Sequence, residues 1–260
     1  MDLGLDGETA LVTASSSGLG KASAASLLSE GANVVICGRR AGALREAEEE
    51  LSEHPGEVAG VEADITDPDD IAALVSATRE TFGGIDHVVT SAGGPPSGSF
   101  IDTPEEEWYD AYDLLVMSLV RVLKHAHDDL VESDAGTVTA ITSTSVAEPI
   151  ESLVLSNAVR RGVTGTIKTI AREWAPDVRA NVVLPGLHET SRLEELAEQA
   201  VERGDAATYE EALSDRASGI PLERVGQPRE LGDVVAFLAS ERASYVTGAS
   251  VPVEGGTLHT

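Results

Sequence analysis

Eight residues near the start of the chain, Thr13-Ala14-Ser15-Ser16-Ser17-Gly18-Leu19-Gly20, follow an apolar run and lead into a helical pattern. Small side chains there let backbone approach a pyrophosphate, and the free N–H groups of a helix start form an anion site. A purely structural tight turn looks the same in isolation, but the strand–turn–helix setting favours phosphate binding. Farther on, Ser156 and Arg160 stand four residues apart, so a helix presents them on one face. An alkanol hydroxyl is a very weak acid, whereas a guanidinium is a lasting cation with several donors. Arg39 and Arg40 follow a second apolar run. They suit bidentate capture of a phosphate, the alternative being solvated loop charge.

These groups need elements to position them. Thr9–Thr13 and Ala32–Cys37 read as strands, with a helix from Gly20 to Glu30 between them and a charged helix around Ala43–Leu51 after them. Val58–Glu62 is a third strand, and Asp67-Pro68 opens a helix over Asp69–Phe82. His87–Thr90 and Thr137–Thr142 supply strands four and five around one long helix, and Arg179–Leu184 and Ser250–Val253 the last two. Short apolar strands alternating with helices predict an α/β protein, a single doubly wound parallel sheet of about seven strands with helices on both faces. No linker or composition shift divides residues 1–260, so one domain is expected. Ligands of such sheets bind at the carboxyl ends of the strands. The charged stretch from Glu189 to Gly219 has the pattern of a substrate lid, or of a solvated helix pair.

Composition narrows the partners. The chain has 260 residues and a formal net charge of −27, with the acid spread along its length. Nucleic acid and anionic membranes are therefore not expected partners, because no basic patch neutralises phosphates. The absence of a long apolar run argues against a membrane span. A lone Cys37 excludes an intrachain disulfide framework and a thiolate metal site. With no basic leader at the N-terminus, a reduced cytoplasmic protein acting on a small-molecule substrate is expected.

The glycine loop resembles the TGxxxGxG motif of the short-chain dehydrogenase/reductase family, with Ala14 in place of its first glycine. The rest of the chain is similar to that family in order. Asp64-Ile65-Thr66 resembles its adenine-contacting acidic turn, and Thr90-Ser91-Ala92-Gly93 its NNAG turn. Pro185-Gly186 resembles its PG turn, with Thr190 four residues beyond, and Val253-Glu254-Gly255-Gly256 its closing strand. The resemblance covers essentially the whole chain, is nearest to 3-oxoacyl-carrier-protein-reductase-like members, and implies a Rossmann-type fold. It also implies a nicotinamide cofactor held by Thr13, Ser15, Ser17, Gly18, Leu19, Gly20, Asp64, Ile65, Ser91, Ala92, Gly93, Pro185, Gly186, His188 and Thr190. The family's acidic residue for the ribose 2′-hydroxyl falls on Gly38, and Arg39 follows, so NADP is expected over NAD. Homo-oligomers, tetramer or dimer, are implied as well, through the stretches Val116–Val122 and Val163–Ile170.

The catalytic positions depart from that pattern. The family's Ser corresponds to Ser143, but its Tyr-x-x-x-Lys becomes Ser156-Asn157-Ala158-Val159-Arg160, and its Asn falls near Leu115. Arg160 can still hold the ribose hydroxyls, whereas Ser156 lacks the acidity of a phenol, whose pKa is about 10. Proton transfer from a positioned acid contributes about 10²–10⁴-fold, so the usual mechanism does not run unchanged. His188, Tyr112, Glu148 and Glu151 are candidate proton sources. For each, a plain structural or solvent-exposed role is the simpler alternative.

The expected function is an NADP(H)-dependent oxidoreductase acting on a carbonyl/alcohol pair through a modified proton relay. A non-catalytic NADP-binding homologue is the alternative. Only Lys21, Lys124 and Lys168 are lysines, which with the acid excess suits a saline cytoplasm, or simply an acidic genome. On the saline reading, screening relieves self-repulsion once the Debye length falls to about 3 Å near 1 M salt. Thermal unfolding should then rise by several degrees between dilute buffer and molar potassium chloride. Full folding and peak activity in dilute buffer would exclude it.

Overall fold

The computed structural model describes residues 2–190, 193–194, 197–198, 201 and 206–259. Its strands are β1 (Thr9–Val12), β2 (Asn33–Gly38), β3 (Val58–Glu62), β4 (His87–Thr90), β5 (Thr137–Ile141), β6 (Arg179–Pro185) and β7 (Ser250–Val253). They form one parallel seven-stranded sheet in the order β3-β2-β1-β4-β5-β6-β7. Its helices are α1 (Gly18–Ser29), α2 (Ala41–Leu51), α3 (Pro68–Phe82), α4 (Glu105–Tyr112), α5 (Ser118–Glu132), α6 (Val154–Glu173), α7 (Tyr209–Ala217) and α8 (Pro228–Ala239). The expected doubly wound Rossmann-type sheet is the one found.

The central strands are apolar on both faces because helices cover both. Leu11, Val35 and Val88 pack with Ile71, Leu119, Val122 and Ile167 on the side of α3, α5 and α6. Their neighbours Val12, Val34, Ile36 and Val89 point the other way, against Leu27, Leu28, Val235 and Leu238 of α1 and α8. Asp67 caps α3 by accepting from the Asp69 N–H at 2.8 Å, ahead of Pro68. The chain runs outward from β1 through β3 and returns to β4 on β1's other side, which opens a crevice at their carboxyl ends.

One expectation is corrected. The helix between strands four and five is not continuous: a π-helical turn, Asp113–Met117, separates α4 from α5. A single inserted residue leaves the apolar period nearly intact, so the pattern does not reveal it. In the apolar stretches of α5 and α6, Val116, Leu119, Val122, Val163, Ile167 and Ile170 are buried in the monomer core. Much of the presumed lid, including residues 191–192, 195–196, 199–200 and 202–205, lies outside the described residues.

Ala14 adopts φ +46°, the left-handed region that favours glycine. A side chain there costs about 1 kcal/mol. Ala14→Gly should therefore raise the unfolding temperature by about 2–4 °C, measured by thermal melting at constant salt.

Candidate active site

The glycine loop is held from below. Thr13 Oγ1 donates to the Ser91 carbonyl at 2.7 Å and accepts from the Ser91 N–H at 2.9 Å, tying the first loop to the one after β4. Ser15 Oγ donates to the Val12 carbonyl at 2.6 Å and accepts from the Cys37 N–H at 3.0 Å, tying it to β2. Both side chains are buried, Ser15 completely. Neither lines the cleft, so Thr13 and Ser15 shape the loop rather than offer their hydroxyls to a ligand. Buried Cys37 is part of the same floor, and burial pushes its thiol up to about 11.

Above this floor lies a cleft of about 680 Å³. Ser17, Gly18, Leu19 and Gly20 line one wall, and Ser17 at the start of α1 makes no side-chain capping bond. Gly18 has φ +58°. Gly20 is obligatory for close packing, because a Cβ there would lie 2.6 Å from the Ala14 carbonyl oxygen. Backbone N–H groups are thus presented to the cleft without side chains in the way.

At one end are Gly38, Arg39, Arg40, Asp64 and Ile65. A side chain at position 38 would put its Cβ 2.7 Å from Ser16 Oγ, so a carboxylate cannot occupy that corner unless Ser16 moves. The exposed Arg39 guanidinium stands 3.8 Å from the Asp64 carboxylate. Burial works upward on Asp64. The backbone and hydroxyl of Thr66, together with Arg39, outweigh it and hold the carboxyl below its usual range.

At the other end are Ser91, Ala92, Gly93, Thr142 and Arg160, while Thr190 lines the cleft beside Gly18. Ser143 caps a single 3-10 turn, Thr144–Val146, by accepting from the Ser145 N–H at 3.1 Å. The tight turn sends the two serines to different sides, and it is Ser145, fully buried, whose hydroxyl lies 3.1 Å from that of Ser156. Ser143, at the position expected for the family's serine, makes the cap of this turn, while Ser156 pairs with Ser145.

Arg160, one helical turn past Ser156 on α6, is only 8% exposed. It donates from Nη1 to the Thr142 carbonyl and from Nη2 to that of Gly93, each at 3.3 Å. Its Nε is the one buried side-chain polar atom without a partner among the described residues. Burial pulls its pKa down to about 10. Leu115 is buried in the π-helical turn.

His188 is corrected as a proton source. Its ring packs against Gly226 and lines a separate pocket of about 100 Å³ with Leu222, Arg224, Glu230 and Glu254. Nδ1 sits 3.2 Å from the Gly186 carbonyl, and burial lowers its pKa despite that bond and Glu230. Pro185 ends β6, and the Gly186 N–H is held by the Val253 carbonyl at 2.9 Å. Tyr112 is 51% exposed and does not line the cleft. Glu148 accepts from the His259 N–H at 2.8 Å, and Glu151 is exposed. Ser16, Leu114, Thr142 and Ser145 were not expected at the site. Ser16 lies in the glycine loop and was legible there; Leu114 and Ser145 depend on the π and 3-10 turns.

Residues 13–258 match the family described as Enoyl-(Acyl carrier protein) reductase. The 3-oxoacyl-[acyl-carrier-protein] reductase FabG of Vibrio cholerae is 31% identical over 257 residues, covering 98% of each chain. L-sorbose reductase from Gluconobacter frateurii, solved with NADPH and L-sorbose, is 30% identical over the whole of both chains with a TM-score of 0.95. An NADPH-bound short chain oxidoreductase from Pseudomonas aeruginosa PAO1, described as containing an atypical catalytic center, is 28% identical over 97% of each chain with a TM-score of 0.88. With a family match over nearly its full length, the chain belongs to the short-chain dehydrogenase/reductase family.

Proposed function

We propose that this protein is an NADP(H)-dependent oxidoreductase interconverting a carbonyl and an alcohol, 3-oxoacyl-reductase-like, through a proton relay without the family's tyrosine. The cleft carries the reading, because it joins a glycine-rich backbone cradle, an arginine corner in which position 38 carries no side chain, and a buried cation at the far end. The residues fit a dinucleotide. Gly18 to Gly20 would face its pyrophosphate, Asp64 and Ile65 its adenine end, and Arg39 with Arg40 its 2′-phosphate. Arg160 would meet the ribose hydroxyls, Ser91, Ala92 and Gly93 line the same end, and Thr190 stands beside Gly18. When bound, a reduced nicotinamide supplies hydride. The NADPH in the Gluconobacter and Pseudomonas structures supports this choice of cofactor.

One observation favours a non-catalytic NADP-binding role. Ser156 is paired with Ser145, and no phenol, imidazole or thiol lines the cleft among the described residues.

Titration with NADPH and NADH in molar potassium chloride, followed by nicotinamide fluorescence, tests the cofactor. NADPH should bind more tightly than NADH. Arg39→Ala should weaken NADPH about 10–100-fold, as loss of a charge-assisted bond of about 1.5–3 kcal/mol requires, and leave NADH nearly unchanged. Equal affinities would remove the NADP assignment, and failure to bind either would remove the oxidoreductase.

Restoring the family's pair separates the two readings. If Ser156→Tyr with Arg160→Lys creates ketone reduction absent from the parent, the parent is non-catalytic. The oxidoreductase reading expects the opposite: turnover in the parent, lowered by the double change because its own relay is dismantled.

A further inference from the structure

The buried guanidinium of Arg160 is an unusual thing to leave without an anion. Taking a charge out of water costs several kcal/mol unless it is paired, and no carboxylate pairs with Arg160 among the described residues. Two of its five N–H groups go to the carbonyls of Thr142 and Gly93, while Nε has no acceptor. The groups packed around it are uncharged: Thr90, Ser91, Leu115, Ser118 and Val163. The bond to Thr142 places the guanidinium beside the residue that leads into the Ser143–Ser145 turn. Among the described residues lining the cleft, the other cations, Arg39 and Arg40, stand at the opposite end. Among the described residues, Arg160 is therefore the one ionisable donor lining the cleft away from the Arg39 corner.

We propose that Arg160 is the acid of the reaction, giving a proton from its guanidinium to the substrate oxygen and so replacing the family's tyrosine as well as its lysine. This rests on reading the cleft as a nicotinamide-dependent oxidoreductase site. As the substrate's carbonyl carbon gains hydride from a reduced nicotinamide dinucleotide, the C=O π pair moves to oxygen. That oxygen takes an N–H proton from Arg160, forming the alcohol O–H bond and leaving a neutral guanidine. Water in the open cleft then returns the proton. Burial assists, because it destabilises the charged form and brings the guanidinium to about 10, where a phenol stands.

Three measurements test it. At saturating NADPH, where any loss of ribose binding is compensated, Arg160→Gln should still lower kcat for ketone reduction at least about 10²-fold. Arg160→Lys, which keeps a charged donor, should lose less. Wild-type reduction should be level to about pH 9 and fall about tenfold per unit above pH 10, with alcohol oxidation rising over the same range. Without substrate, nitrogen NMR of arginine-labelled protein should show one guanidinium titrating near pH 10, absent from Arg160→Lys. A loss of NADPH affinity with kcat unchanged would reduce Arg160 to a ribose ligand and overturn the proposal. A guanidinium still fully charged at about pH 11 would overturn it too, whether or not turnover is seen. By contrast, bound NADPH that no ketone ever consumes, with the guanidinium titrating as expected, would count against the oxidoreductase reading and leave the acid character of Arg160 upheld.

Discussion

Two buried hydroxyls hold the candidate site in shape. Thr13 ties the glycine loop to the turn after β4, and Ser15 ties it to β2, each by accepting one N–H and donating to one carbonyl. In a nearly dry interior such bonds are expensive to leave unmade, so the loop has little freedom to collapse into the crevice. The open wall of Gly18 to Gly20, the arginine corner and the position of Gly93 all follow from this stitching. Even the strain at Ala14 fits it, because the loop must turn through a left-handed residue whatever side chain stands there.

Charge is arranged by distance. Arg39 and Asp64 face each other at one end of the cleft in a solvated pair, which water and salt weaken. Arg160 at the other end is buried, without a counter-ion, and its electrostatics act at low dielectric. A net charge of −27 surrounds both, yet no carboxylate pairs with the inner guanidinium among the described residues. The two ends of the cleft therefore suit different tasks: recognition of phosphate at the exposed end, and chemistry on a neutral polar group at the buried one.

Much of this was legible in the residues themselves. The strand–turn–helix signature of Thr13 to Gly20, the Asp67-Pro68 helix start and the seven apolar runs depend on local spacing, which a linear pattern records faithfully. The π-helical turn at Asp113–Met117 was not legible, because one extra residue hardly disturbs a helical period. The sequence pointed to Ser143 and did not single out Ser145. Both lie just past the same strand, and only the 3-10 turn decides which hydroxyl faces Ser156.

The sequence by itself determined the fold class and the glycine loop that opens α1, because each rests on side-chain type and short-range spacing. Tertiary structure alone decided the environments. It turned His188 into a pocket of its own, kept Val122 and Ile167 for the monomer core, and left Arg160 Nε buried without a partner. Burial and hydrogen-bond satisfaction are properties of what arrives from elsewhere in the chain, here from β4, β5 and the π-helical turn. The acidity of a guanidinium depends on that desolvation, so no reading of position 160 alone contains it.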